Sequence, residues 1–284
     1  MQTRGMGLGA HERDALYALG YSDEEQGRLI AGDRSYGPAT SQLFRDAGIG
    51  PGMRVLDVGC GVGDVSFRAA ELVGPDGAVV GIDADPRALQ TARARAEAVG
   101  FSQVSFHNGD LRTLPAGELF DAAVGRLILM YLGDPVDALR TLAGHLRPGG
   151  VVAFHEMVCD IPPHVPDLPQ TSRAFQWIRG AFGGAGMDLH MGLKLSSVFE
   201  DAGLPAPELR VDTMVLRGAD SPLYEWIAGT VRSVLPFLER SGQATAAEVD
   251  IDTLADRMRA EVAAARGLAF MPPFVGAWAR KPAA

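Results

Sequence analysis

From Met53 to about Cys159, short apolar runs alternate with longer amphipathic segments, and this rhythm organises the chain. The run Met53-Arg54-Val55-Leu56-Asp57-Val58 lacks the in–out alternation of a half-exposed strand and predicts one buried on both faces. Further strands are predicted at 78–82, 104–107, 120–124 and 151–154, the last behind the turn Arg147-Pro148-Gly149-Gly150. Helical periodicity fills 65–73, 87–98 and 135–146 between them. Buried strands joined by helices imply a parallel sheet covered on both sides, a doubly wound α/β fold.

The flanks differ in character. Residues 11–50 read as helical, with a capping box at Ser22 and Glu25 opening a helix that Glu24 to Leu29 continue. A second helix is expected from about Pro38 to Ala47, closed by Gly48-Ile49-Gly50-Pro51-Gly52. Beyond 160, a helix near 194–202, a strand at 209–216 and a final strand at 274–281 extend the sheet, while 221–266 reads as two or more helices. The expected organisation is an N-terminal helical lid over 1–50 and a core over 51–284, with helical additions at about 160–195 and 221–266.

Directly after the first strand, Asp57-Val58-Gly59-Cys60-Gly61-Val62-Gly63 places glycine at every second position and opens a helix. Such a loop turns sharply and lets the backbone approach a ligand. It is not the dinucleotide fingerprint: counted from Gly59, Asp64 stands where the third glycine belongs, and counted from Gly61, Ser66 does. An acidic residue there repels a pyrophosphate, and the lysine of a P-loop is missing. Asp83 closes the second strand and Asp110 follows the third, so three aspartates stand at successive strand ends. A carboxylate at Asp83 can accept both hydroxyls of a ribose, and one at Asp110 can accept from an adenine amino group.

With these residues in view, Val55 to Gly63 resembles the first motif of class I S-adenosylmethionine-dependent methyltransferases. Asp83, Gly109-Asp110, Phe120-Asp121-Ala122-Ala123-Val124 and Leu146-Arg147-Pro148-Gly149-Gly150 resemble the later motifs in order. The resemblance covers roughly 50–160 and implies a seven-stranded sheet whose last strand, near 274–281, is antiparallel. Leu19-Gly20-Tyr21-Ser22 is similar to a branch of small-molecule methyltransferases of bacterial specialised metabolism. The resemblance further implies that Asp57 and the loop Gly59, Cys60, Gly61 and Gly63 hold the methionine end of S-adenosylmethionine. By the same resemblance Asp83 and Ala84 hold the ribose, Asp110 and Leu111 border the adenine, and Arg126 meets the methionine part or the acceptor. Tyr36 is placed to close over the cofactor.

Composition narrows the partner. Net charge is −9, and no basic footprint for nucleic acid or anionic membrane is present, so a small-molecule acceptor is expected. Two cysteines, Cys60 and Cys159, imply neither a disulfide framework nor a zinc site. No apolar stretch reaches membrane-spanning length and no signal peptide is read at the start, so a cytoplasmic protein is expected, with a homodimer as its candidate assembly.

A sulfonium methyl is already electrophilic, so a general base is needed only for an acceptor that must lose a proton. His155 and Glu156, read as following the fifth strand and pointing to opposite sides, are the candidates, with His155 favoured for its ordinary pKa of about 6.5. His190 is a further candidate; the scatter of the histidines shows no metal-ligand spacing. Tyr17, Tyr21, Phe175, Trp177, Phe182 and Met187 are expected to line an apolar acceptor pocket. Two rival readings remain: a nicotinamide-dependent oxidoreductase, which the glycine spacing disfavours, and a protein of the same fold that binds the cofactor without transferring methyl, as cyclase or sensor.

Overall fold

The computed structural model describes residues 23–111, 114, 117–159, 164–165, 168–217, 220–270 and 272–283. Tyr17, Tyr21 and the Ser22–Glu25 capping box lie outside the described residues and side chains. Helix α1 (Asp23–Asp46) is a single helix, where two were expected, and Pro38 sits inside it. A proline there removes one backbone hydrogen bond and costs roughly 3 kcal/mol. Tertiary packing overrides that cost: Thr40, Leu43 and Phe44, in the two turns after Pro38, are fully buried.

Strands β1 (Arg54–Val58), β2 (Ala78–Asp83), β3 (Val104–Asn108), β4 (Phe120–Arg126) and β5 (Leu146–Met157) run parallel. Helices α2 (Asp64–Val73), α3 (Pro86–Val99) and α4 (Pro135–Gly144) join them. Local chemistry sets their ends. Asp85 caps α3 by accepting from Arg87 N–H at 3.0 Å, with Pro86 as first residue, and Gly100 closes it at φ 78°. Asp134 and Pro135 do the same for α4.

The Arg147–Gly150 turn is absorbed into β5, where the register against β4 shifts between Phe120 and Ala122. The strand therefore extends past the expected 151–154 and contains His155 and Glu156 instead of ending before them. Next come β6 (His164–Val165), α5 (Pro169–Gly184), α6 (Met191–Asp201), β7 (Glu208–Asp212) and β8 (Val215–Arg217). The chain ends with α7 (Leu223–Arg240), α8 (Ala246–Val249), α9 (Ile251–Ala264), β9 (Leu268–Phe270) and β10 (Phe274–Arg280).

The seven-stranded sheet has the order β3-β2-β1-β4-β5-β10-β7, with β10 antiparallel to both neighbours. The strand expected over 209–216 is divided: β7 completes this sheet, while β8 joins β6 and β9 in a separate three-stranded sheet. One face packs on α2 and the C-terminal half of α1, through Leu43, Phe44, Val65 and Ala69 against Val55, Ala122 and Val151. Helix α3 covers the same face further out, through Leu89 and Ala92. The other face buries Leu56, Val80, Ala123, Val152 and Phe154 under α4 and α6, and that core continues into α5, α7 and α9.

At the seam between α1 and β10, a Cβ on Gly276 would lie 2.7 Å from Leu43 Cδ1 and 3.1 Å from Arg210 Cγ. Leu43 is fully buried and has no room to retreat. Gly276→Ala is therefore expected to lower the free energy of unfolding by about 1–3 kcal/mol in urea titrations. In a Leu43→Ala background the same substitution should cost much less, so a double-mutant cycle reports positive coupling.

Candidate active site

After Val58 the chain turns through Gly59, Gly61 and Gly63, at φ of 68°, 51° and 93°, before α2 begins at Asp64. These are left-handed conformations that a Cβ disfavours. At Gly59 the demand is also steric, since a Cβ would stand 2.6 Å from Ile128 Cδ1. The loop is pinned to the end of β2: Gly59 and Cys60 N–H donate to Ile82 O at 2.9 and 3.0 Å, and Gly61 N–H donates to Asp83 Oδ2 at 2.8 Å. Asp83 Oδ1 accepts from Asp85 N–H at 2.8 Å. Burial pushes the Asp83 pKa up and these backbone donors oppose the shift. Each carboxylate oxygen retains a lone pair for a ligand hydroxyl.

Above this loop lies a cavity of about 410 Å³, within the range of small-molecule sites. Gly59, Cys60 and Gly61 form its floor, and Asp83, Ala84, Asp110 and Leu111 close one end. Asp64 and Asp85 also face it. At the other end the walls are Met130, Met157, Phe182, Met187 and Trp226. Helix α1 forms the roof through Leu29, Asp33 and Tyr36.

Buried polar contacts hold that roof. Asp33 Oδ1 accepts from Arg126 Nη1 at 2.9 Å, and its Oδ2 accepts from Arg68 Nη2 at 2.6 Å. Arg126 Nη1 also donates to Thr40 Oγ1 at 3.1 Å. Near the start of α1, Gln26 Oε1 accepts from Thr91 Oγ1 at 2.5 Å. Gly37 lets the Arg68 guanidinium pass against the helix where a Cβ would obstruct it.

The structure thus gathers Tyr36, Gly59, Cys60, Gly61, Asp83, Ala84, Asp110, Leu111, Arg126, Phe182 and Met187 around one cavity. Others from the sequence stand elsewhere. Gly63 closes the loop by donating to Cys60 O at 2.9 Å and lies outside the lining. Asp57 is buried beneath the loop, where Ser66 Oγ donates to its Oδ2 at 2.6 Å and its Oδ1 has no partner. Burial raises the Asp57 pKa to about 7, opposed by that hydrogen bond and by Arg126. Phe175 and Trp177 are packed in the core beneath α5, and His190 is exposed at the start of α6. None of these three lines the cavity.

His155 and Glu156 do point to opposite faces, but neither reaches the cavity. His155 is fully buried against α1, its Nδ1 3.1 Å from Thr40 Oγ1. Burial, with Arg126 and Arg210 nearby, lowers its pKa to about 3. Asp212 lies 3.8 Å from Nε2, beyond hydrogen-bonding distance, and both its oxygens are taken by Arg210, so it does not reverse the shift. Glu156 Oε1 accepts from Ile128 N–H at 3.0 Å and Leu129 N–H at 2.8 Å. It thereby fixes the segment after β4, where Leu127 is held at φ 54° and Ile128 packs on Gly59. Both residues act on the frame of the site and are too enclosed to serve as general bases.

Asp33, Thr40, Arg68 and Trp226 were not anticipated. For Asp33 and Thr40 a signal was present: Gln26, Leu29, Asp33, Tyr36 and Thr40 recur at three- and four-residue spacing and share one face of a continuous helix.

Comparison with known proteins bears on the family and the fold. A methyltransferase-domain family model matches residues 49–203. Aklanonic acid methyltransferase DauC from a Streptomyces species is 42% identical over 128 residues, which cover 42% of this chain and 58% of that protein. An uncharacterized 37.1 kDa protein in a transposon of Streptomyces fradiae is 33% identical over 174 residues, covering 60% of this chain and 49% of the relative. The chain therefore spans about half the length of the curated relatives it matches. Among solved structures, phosphoethanolamine N-methyltransferase 2 of Haemonchus contortus, in complex with phosphomonomethylethanolamine and S-adenosylhomocysteine, has a TM-score of 0.58 at 18% identity. The likeness covers 95% of this chain and 60% of that one, and it concerns the fold.

Two outcomes follow for the residues that frame the site. Glu156→Ala leaves two N–H groups without an acceptor and should destabilise by about 1–3 kcal/mol for each, whereas Glu156→Gln keeps a carbonyl oxygen and most of the stability; thermal melts compare them. For His155 the folded pKa of about 3 lies below the ordinary 6.5. The unfolded chain therefore binds a proton that the folded one refuses, and this contribution is full above pH 6.5 and lost as the pH falls toward 3. Relative to His155→Asn, the wild type should lose about 2 kcal/mol between pH 6.5 and 5 in urea titrations.

Proposed function

The chain belongs to the methyltransferase-domain family, whose methyl donor is S-adenosylmethionine, and from that premise we propose that it methylates a small aromatic or hydrophobic acceptor in bacterial specialised metabolism. One observation carries this reading: a single cavity joins an acidic end suited to a nucleoside with an apolar end suited to a flat acceptor. Asp64, Asp83, Asp85 and Asp110 all face the first end, and their charges disfavour a pyrophosphate, which argues against a nicotinamide dinucleotide.

The residues present fit S-adenosylmethionine. Asp83 would take the ribose hydroxyls, and Asp110 and Leu111 would border the adenine. The glycine loop gives the methionine part room to lie on backbone, with Arg126 as a cation at its carboxylate. When bound, the cofactor supplies an electrophilic methyl whose bond to sulfur breaks as the acceptor's lone pair forms the new bond. The protein's own contribution is alignment and water exclusion. Helix α1 roofs the cavity and acts as the lid, while Trp226, Phe182 and the three methionines shape the far end. Alignment of this kind provides on the order of 7–11 kcal/mol of barrier reduction.

The apolar end suits a small molecule better than a polymer, and the net charge of −9 agrees. The relative DauC is named for a small-molecule acceptor, which supports the same class here. No helix among the described residues is long and apolar enough to cross a membrane. Both cysteines are buried and neither forms a disulfide, which supports the reading of a cytoplasmic protein.

Calorimetric titration with S-adenosylhomocysteine, with NADH as control, tests the cofactor, and labelled methyl donor with aromatic acceptors tests the transfer. Binding of NADH in place of S-adenosylhomocysteine would sink the assignment. Cofactor binding with no methylated product in extracts of the source organism would turn the reading toward a cyclase or sensor. Asp83→Ala should weaken S-adenosylhomocysteine by about 10–100-fold, the worth of hydrogen bonds to a charged group.

A further inference from the structure

Several described side chains bury a polar atom that has no partner in the structure, and Tyr36 is the one among them that lines the cavity. Its hydroxyl is buried with no hydrogen bond, an arrangement that folded proteins avoid unless something else supplies the partner. The ring is held rigidly. Phe274 lies 4.3 Å away centroid to centroid, and Trp226 meets it edge-on at 6.1 Å. The Oη therefore has a fixed direction and no freedom to turn outward to water.

Its position in the sheet assigns it to the acceptor end. The carboxylates suited to the nucleoside follow β2 and β3, whereas Tyr36 packs on β10, four strands along from β2 in the order β3-β2-β1-β4-β5-β10-β7. The thioethers of Met157 and Met187, which also line the cavity, offer no hydrogen-bond donor to an oxygen. Burial drives the Tyr36 pKa well above the ordinary 10, opposed by Arg28 and Arg126, so the phenol stays protonated and acts as a donor. The Trp226 indole N–H is a second donor nearby: its Nε1 and Tyr36 Cε2 both lie 3.9 Å from where a Gly32 Cβ would stand. Arg28 and Arg126 also line the cavity, Arg126 paired with Asp33.

We propose that Tyr36 donates a hydrogen bond to an anionic or strongly polarised oxygen of the acceptor, a carboxylate, enolate or phenolate on a flat aromatic frame, and so selects acceptors that carry one. This deepens the methyltransferase reading and rests on it. It also reassigns Tyr36 from the cofactor, where the sequence places it, to the acceptor. No covalent step is added; the donor fixes the orientation in which the acceptor meets the methyl.

The test uses the full chain saturated with S-adenosylhomocysteine, wild type and Tyr36→Phe. The probes are 1-hydroxy-2-naphthoate, 2-naphthoate and 2-naphthol, with 2-methylnaphthalene as the oxygen-free control, all titrated by calorimetry. The expected result has four parts. S-adenosylhomocysteine affinity and melting temperature are retained in Tyr36→Phe. At least one oxygen-bearing probe binds the wild type, and its affinity falls about tenfold or more in the variant. The control binds both proteins equally. Unchanged affinity for every oxygen-bearing probe overturns the proposal, as does failure of all three to bind the wild type. A Tyr36→Phe variant that loses S-adenosylhomocysteine affinity overturns it too, by returning Tyr36 to the cofactor. Failure of the wild type to bind S-adenosylhomocysteine is a separate result, which removes the methyltransferase reading itself.

Discussion

Asp33 uses its two carboxylate oxygens to hold two arginines that come from different parts of the fold. Arg126 stands at the end of β4 and Arg68 in α2, so one side chain of α1 ties the roof both to the sheet and to the helix behind the glycine loop. All three side chains are at least three-quarters removed from solvent. Removing one member of such a group leaves the others buried without compensation, which costs more than the assembled group contributes. The bridge therefore fixes a geometry more than it adds stability. If α1 drifted, the cavity would lose Leu29 and Tyr36, and Arg126 would lose the contact that sets its direction.

That constraint explains how Pro38 is tolerated within α1. A helix judged by its own propensities breaks there, and reading the sequence as two helices follows from local rules alone. The energy that joins the halves is not local. It comes from Leu43 against Gly276, Thr40 beside His155 and Arg126, and Asp33 with its arginines, all partners distant in sequence. The stripe on α1 became invisible once the helix was divided, and Asp33 and Thr40 disappeared with it, while the lid over 1–50 and Tyr36 stayed among the expectations. The loop at Gly59 and the carboxylate at Asp83 were legible because their demands are local: left-handed turns need glycine, and a strand end presents its last side chain to the crevice.

His155 and Glu156 show the opposite failure. Residue type and placement near a strand end suggested chemistry, and alternation correctly sent them to opposite faces. The sequence did not reveal that β5 runs to Met157 and pairs with β10 through both residues. A central strand with antiparallel β10 on one side and parallel β4 on the other has no free end at that point. Desolvation then decides their protonation: it makes His155 a weak base and moves Glu156 toward its neutral form, with a pKa of about 7. Two titratable groups that look catalytic instead brace the roof and the segment carrying Ile128.

The charges around the cavity are divided in a way that suits the chemistry. Asp83, Asp85 and Asp110 line the cavity after β2 and β3, while Met130, Met157, Phe182, Met187 and Trp226 give it an apolar wall. On the proposed reading, a sulfonium carries positive charge that vanishes when its methyl leaves, so the lining carboxylates would favour the charged donor over the neutral product. The apolar end does the reverse for an acceptor, excluding water from its nucleophile and strengthening whatever hydrogen bonds remain. In such surroundings a single well-aimed hydroxyl outweighs several contacts that only fill space. On the proposed reading, with His155 and Glu156 enclosed, the catalytic burden shifts from proton removal to orientation, and an acceptor already ionised or polarised at oxygen would ask for nothing more.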